Sequence, residues 1–253
     1  MSLTLPQTPS FRLDGRRAVV TGAGRGIGLA AAAALAQAGA EVTPVARTAS
    51  EIEIAAAQIG HGAQAAVLDV SDLAAVAHFF AERPAFDVLV NNAGTNRPMP
   101  MWDVTEADYD AVLGLNLKSA FFVAPACAGR MIAAGGAGSL IHMGSQMGHV
   151  GGPNRSLYCA SKWALDGLNK SFALDLAAHG IRSNTIAPTL IETPMTKPMF
   201  DNANFKASVL SKIKLGRIGQ VEDLMGAVLF LASDASALMT GTSLVVVGGW
   251  AAD

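Results

Sequence analysis

The 253-residue chain is poor in charge: Asp, Glu, Lys and Arg make up 15% of it, against roughly 25% in an average soluble domain. Its 18 basic and 20 acidic residues leave a net charge of −2, so no basic field exists to attract nucleic acid or an anionic lipid surface. Cysteine is scarcer still. Cys127 and Cys159 form no CxxC spacing, which excludes a zinc site and a disulfide framework and fits a reducing, cytoplasmic setting. Long strongly apolar runs are also missing. The weakly polar stretches 27–40 and 120–143 are built from Ala and Gly and broken by Gln37, Pro125 and Arg130, short of the ~18–20 apolar residues of a bilayer span. Residues 1–11 carry Pro6 and Pro9 and no apolar segment, so they do not read as a signal peptide. What the chain has instead is apolar residues, at 51%, and 26 glycines. So little charge on so apolar a chain predicts that part of the surface is covered by a partner subunit.

Short β-like runs alternate with longer helical patterns. Residues 17–21, 41–46, 65–69, 88–91, 139–143, 182–187 and 244–247 read as seven buried strands, rich in Val, Ile and Leu. Helical patterns fill 26–38, 50–59, 72–82, 105–133, 157–178 and 221–232; in the fifth, Ala164, Leu165, Leu168, Phe172 and Leu176 share one face. The alternation predicts a single α/β domain over residues 1–253, doubly wound, with a seven-stranded parallel sheet covered by helices on both faces. Residues 1–12 form an N-terminal extension. Loop-like stretches 95–104, 146–156 and 190–215 all leave the carboxyl edge of the strands, where open parallel sheets bind ligands; the last is expected to be a substrate-binding lid.

Three groups of residues carry chemistry. The first strand runs into Thr21-Gly22-Ala23-Gly24-Arg25-Gly26-Ile27-Gly28 and then a helix. Glycines there allow a tight turn and close backbone approach, and the helix N-terminus offers free N–H groups to a pyrophosphate. Tyr158 and Lys162 stand at i and i+4 on a helix, so their side chains share a face. A tyrosine with a pKa of ~10 is a poor base at neutral pH; a neighbouring ammonium favours the phenolate and makes it a proton donor or acceptor. Ser145 follows a strand at the same edge, where its hydroxyl can polarise a substrate oxygen.

Together the TGxxxGIG string, Asn91-Asn92-Ala93-Gly94, Asn116, Ser145 and Tyr158-x-x-x-Lys162 resemble the short-chain dehydrogenase/reductases over nearly the whole chain, from about residue 12 to 250. The resemblance implies a Rossmann-type fold and reversible hydride transfer between a nicotinamide cofactor and a secondary alcohol/ketone pair. Asn116 would then support a proton-relaying water. Asn92, Ala93 and Gly94 would lie beside the adenosine ribose, and Asp69 with Val70 at the adenine. Pro188, Ile191 and Thr193 would hold the nicotinamide carboxamide. It also implies a homotetramer built on the helices at 105–133 and 157–178 and the C-terminal strand. The lesser reading of Asp69 is a helix N-cap or turn aspartate, since Ser71 and Asp72 already supply capping oxygens.

The acid that an NAD enzyme places at the end of strand two is missing from Val45-Ala46-Arg47-Thr48. Arg47 and Arg25 would instead clamp a 2′-phosphate, so the expected cofactor is NADP(H), with NAD(H) as the alternative. Thr189 stands where the family has glycine, and Val247 where it often has aspartate. His142 reads as a hydrogen-bonded core residue. For the substrate, a polyol, sugar acid or other carbonyl compound, the candidates are Asn96, Ser145, Gln146, His149, Tyr158 and Met195. Asn154 and Arg155 add polar groups, and Trp102, Met147, Met199, Phe200 and Trp250 an apolar wall. A 3-oxoacyl-thioester reductase acting on a carrier-bound chain is the enzymatic rival; it needs a basic entrance, for which Arg130, Lys170 and Arg155 are available. A catalytically idle cofactor-binding sensor is the rival of another class. No metal ligands are expected.

Overall fold

A computed structural model describes residues 5–252; the first four residues of the expected N-terminal extension lie outside them. Seven parallel strands form one sheet: β1 (Arg17–Thr21), β2 (Glu41–Ala46), β3 (Ala66–Val67), β4 (Val88–Asn91), β5 (Gly138–Met143), β6 (Ile181–Pro188) and β7 (Ser243–Val246). Their order in space is β3-β2-β1-β4-β5-β6-β7, so the chain reverses direction across the sheet between β1 and β4. Ligands bind at such a switch point in open α/β sheets.

Alternating residues of each strand face opposite sides, and this sorts the apolar residues into two cores. Val20, Val90, Ile141 and Ile186 pack with Leu35 of α1 (Gly26–Gln37) and with Leu224, Val228 and Leu231 of α8 (Glu222–Ala232). Val19, Leu89 and Leu140 pack instead with Phe79 and Phe80 of α3 (Leu73–Ala81), Cys127 and Met131 of α5 (Ser119–Ala133), and Phe172 of α6 (Ser156–Leu176). His142 is fully buried, bonds Ser183 Oγ at 3.3 Å, and is pushed by burial down to about 4. It is a neutral core residue.

The expected single helix over 105–133 is interrupted. α4 (Glu106–Leu113), started by a Thr105–Asp108 capping box, gives way to a π-helical turn over Gly114–Lys118 before α5 begins. The stretch Glu106–Ala133 is long and apolar enough, at mean hydropathy 1.5, to cross a membrane by length and composition. That differs from the reading of the sequence alone. Its apolar residues Val123, Ala124, Cys127 and Met131 are committed to the second core. The remaining helices are α2 (Ala49–Ile59) and α7 (Ala203–Lys212). α7 lies inside the expected lid and has no counterpart among the sequence-predicted helices.

Candidate active site

The glycine-rich turn is bound tightly to the end of β4. Thr21 Oγ1 accepts the backbone N–H groups of Asn92 (3.0 Å) and Ala93 (3.1 Å), and Asn92 Nδ2 donates to the carbonyls of Thr21 and Gly22. Gly22 and Gly26 have φ of 65° and 58°, values that side chains rarely adopt. At Gly28 a Cβ would lie 2.3 Å from Gly22 O and 2.5 Å from Asn92 Nδ2. The turn therefore needs glycine for packing, and it leaves the first backbone N–H groups of α1 facing a cleft.

The catalytic candidates gather at the carboxyl end of β5. Ser145 follows β5 after Gly144. Its Oγ accepts the Met147 N–H at 3.1 Å, which leaves the hydroxyl hydrogen to donate. Lys162, buried on α6, donates from Nζ to the Met143 carbonyl at 2.7 Å, and burial pushes its ammonium down to about 8. Burial raises the Tyr158 phenol, while the Ser145 hydroxyl and then the Arg155 charge pull it back down. Lys162 Nζ lies 5.6 Å from the Tyr158 ring centroid.

Asn116 occupies the π turn and is buried. Its Oδ1 accepts the Thr95 N–H at 2.7 Å, and its Nδ2 donates to Thr95 O at 2.9 Å and Ser161 Oγ at 3.1 Å. It braces the loop after β4 against the turn of α6 that carries Lys162. Both amide hydrogens are spent, and its side chain does not line the cleft. π turns commonly occur at such functional positions.

One cleft of about 1040 Å³ joins these parts, at the upper end of ligand pockets, roughly 300–1,000 Å³. Along it lie Gly22, Gly24, Arg25, Gly26, Ile27 and Gly28; then Arg47, Asp69 and Val70; then Asn92, Ala93 and Gly94. Beyond Ser145, Tyr158 and Lys162 it continues past Pro188, Ile191 and Thr193 to Asn96, Gln146 and Met195. Three buried polar atoms along this cleft have no partner: Asn96 Oδ1, Gln146 Oε1 and Thr189 Oγ1. Orphaned groups of this kind carry a cost that a ligand relieves. The glycine cradle and these unpaired groups fit a dinucleotide with a polar substrate beside it.

Residues 22–251 match a family model described as Enoyl-(Acyl carrier protein) reductase. L-xylulose reductase of Bos taurus is 37% identical over 242 residues, covering 96% of this chain and 99% of that protein. 2-dehydro-3-deoxy-D-gluconate 5-dehydrogenase of Bacillus subtilis (strain 168) is 40% identical over 247 residues, covering 95% and 96%. The crystal structure of a gluconate 5-dehydrogenase from Burkholderia cenocepacia J2315, in complex with NADP and tartrate, aligns with a TM-score of 0.91 at 39% identity, covering 96% of this chain and 98% of that one. The chain belongs to the short-chain dehydrogenase/reductase family. It is a nicotinamide-dependent oxidoreductase of secondary alcohols and ketones.

Several positions differ from expectation. His149 does not line the cleft; its Nε2 lies 2.8 Å from Ser243 Oγ, so the imidazole ties the loop to β7. Trp102 and Phe200 are likewise absent from the cleft wall, whereas Met147, Met199 and Trp250 are part of it. Arg130 donates to the Arg83 carbonyl and Lys170 to the Gly241 carbonyl; of the three cations considered for a carrier-binding entrance, Arg155 alone lines the cleft. Thr189 takes the usual glycine position without left-handed backbone, since His61 and Asn154 are the non-glycine residues at positive φ among those described. Asp69 Oδ1 accepts both the N–H and the hydroxyl of Ser71, so it forms an aspartate turn while also lining the cleft.

Sequence reasoning missed α7 and Glu51. α7 contributes Phe205, Ser208, Val209 and Lys212 to the cleft; Asn202, whose side chain accepts the Phe205 N–H, is the cap that could have announced it. Glu51, in the first turn of α2, pairs with Arg25 at 3.3 Å. Both partners are well exposed, and such pairs contribute little, about 0–1 kcal/mol, so a phosphate can compete for the arginine.

Proposed function

We propose that the enzyme interconverts a secondary alcohol and a ketone in a polyhydroxylated small molecule, with Tyr158 as the acid/base. The observation that carries this reading is the convergence of Ser145, Tyr158 and Lys162 beside the glycine cradle in one cleft. Bound NADP(H) supplies or accepts the hydride at the carbinol carbon. Tyr158 gives its phenolic proton to the substrate oxygen in reduction and takes it back in oxidation. Ser145 donates its hydroxyl hydrogen to the same oxygen, and Lys162 keeps two N–H donors for the cofactor ribose and the phenolate. Asn116 holds the Thr95 loop and α6 in register. Residues 190–215 act as a lid over this single catalytic unit, a reading supported by the side chains that α7 turns toward the cleft.

Arg25 and Arg47 are assigned to the 2′-phosphate. Arg47→Asp is expected to weaken NADPH roughly 10- to 100-fold more than NADH, the worth of one or two charge-assisted hydrogen bonds at about 1.5–3 kcal/mol. Equal losses, read as dissociation constants by fluorescence titration, would remove Arg47 from that role.

The pH profile follows from burial. With Lys162 near pH 8 and Tyr158 raised, kcat/KM for carbonyl reduction should be level below about pH 8. Above it the rate falls as the ammonium loses its proton while the phenol keeps its own. A profile that stays level well beyond that pH contradicts the assignment. We further assign a homotetramer, supported by exposed Tyr109, Phe121, Phe122, Trp163 and Leu174 on α4, α5 and α6, and a cytoplasmic setting, supported by the free thiols Cys127 and Cys159.

A further inference from the structure

We infer that the substrate is an anion, a polyhydroxy carboxylic acid or its keto form, and that Arg155 takes its carboxylate. The inference rests on the proposed site and deepens it.

The ionic groups along the cleft are unequally matched. Its two acids are Glu51, paired with Arg25, and Asp69, whose carboxylate feels Arg47. Both belong to the adenosine end. At the other end stand Arg155, Lys162 and Lys212 with no carboxylate among the described residues lining the cleft. Lys162 is held by the Met143 carbonyl, and Lys212 lies over the Trp250 ring at 5.2 Å. The Arg155 guanidinium is half-buried, makes no salt bridge or side-chain hydrogen bond among the described residues, and sits close enough to Tyr158 for each to shift the other. A partly desolvated cation without a counter-ion carries a cost, and an anion delivered with the substrate relieves it.

The local backbone holds Arg155 in place. Asn154 has φ of 58°, a left-handed conformation that asparagine tolerates better than most residues, and this bends the chain into α6 at Arg155. The Asn154 carbonyl accepts the Met99 N–H at 3.1 Å, which joins the loop carrying Arg155 to the loop carrying Asn96. α6 has no acidic residue in its first turn and no side-chain cap, so its positive end adds to the arginine. Asn96 and Gln146, whose side-chain oxygens lack a partner, line the same cleft, and such amide oxygens can take hydrogen bonds from substrate hydroxyls. A cation that shares a cleft with hydroxyl-accepting amides and the Tyr158 phenol is complementary to a hydroxylated acid; a neutral polyol would leave the cation unpaired.

The test uses matched pairs of four- to six-carbon aldonates and alditols that differ only in carboxylate against hydroxymethyl, oxidised by the full-length enzyme with saturating NADP+. The best aldonate should exceed its alditol in kcat/KM by roughly 10- to 100-fold, mainly through KM, the worth of a charge-assisted pair. Arg155→Gln should bring that ratio near one and Arg155→Lys should restore part of it. An unchanged NADPH dissociation constant in both variants shows that the fold is kept. Alditols oxidised as well as aldonates, or a ratio that survives Arg155→Gln, overturns the anionic substrate and leaves the alcohol dehydrogenase standing. Absence of turnover across aldonates, alditols and simple cyclic ketones alike overturns both.

Discussion

Tyr158→Phe is expected to lower kcat by about 10²- to 10⁴-fold, the range of a general acid/base group, while NADPH binds within a few-fold of wild type. The substitution removes one oxygen and keeps the ring, so the α6 packing that places Leu157, Leu165 and Phe172 survives. What is lost is the group that moves the proton at the substrate oxygen. Burial holds the phenol protonated, and Ser145 and Arg155 draw its affinity for the proton down; phenylalanine offers them nothing to act on. Ser145 retains its own hydrogen for the substrate oxygen, which accounts for a residual rate above zero. Single-turnover kinetics with NADPH and a ketone separates the two effects. A variant that binds cofactor normally and turns over within about three-fold of wild type would remove Tyr158 from the chemistry.

Gly28→Ala has the second largest expected effect, on stability and cofactor affinity together. The new methyl would fall 2.3 Å from Gly22 O and 2.5 Å from Asn92 Nδ2, between the two atoms of the 3.1 Å hydrogen bond that ties the turn to β4. Gly22 O is backbone and Asn92 Nδ2 is held by hydrogen bonds to the Thr21 and Gly22 carbonyls, so the backbone must move. Overpacking of this kind costs about 1–3 kcal/mol, at times more; at roughly 2–4 °C per kcal/mol for a chain of this size, melting should fall by about 2–12 °C. NADPH affinity should fall by at least about 100-fold, because the displaced N–H groups belong to the phosphate cradle. Gly226→Ala is the control. A Cβ there meets nothing within 4 Å on the exposed side of α8, and alanine is the better helix former by about 0.8–1.0 kcal/mol. Calorimetry and cofactor titration of the two variants check the account; equal behaviour would contradict it.

Much of this architecture is legible in the residues because it is repeated locally. Each strand is a short apolar run, and β1, β2 and β4 begin and end where the Val-rich segments do. β3 is shorter than its sequence run because Asp69 turns the chain through Ser71. The glycine turn and the Tyr158–Lys162 pair are spacing rules, and spacing survives without a structure. Features that depend on contact across the molecule were not legible. The π turn at Gly114–Lys118 leaves the apolar pattern of 105–133 almost unchanged while re-aiming Asn116 toward Thr95 and Ser161. α7 was hidden because Val209 is the only buried residue in it. His149 looks like a pocket residue in a loop, and only the approach of β7 gives it Ser243 as a partner. Arg25–Glu51 joins the glycine-rich turn to the first turn of α2, which sequence order does not bring together.

The most direct test of the account is the change in nicotinamide absorbance when the purified enzyme meets polyols, sugar acids and their ketones, with NADP(H) and NAD(H) in parallel. The account predicts turnover of a hydroxylated secondary alcohol or its ketone, faster with NADP(H) and lowered at least about 100-fold in Tyr158→Phe. Tight NADPH binding with no absorbance change on any of these compounds would contradict it.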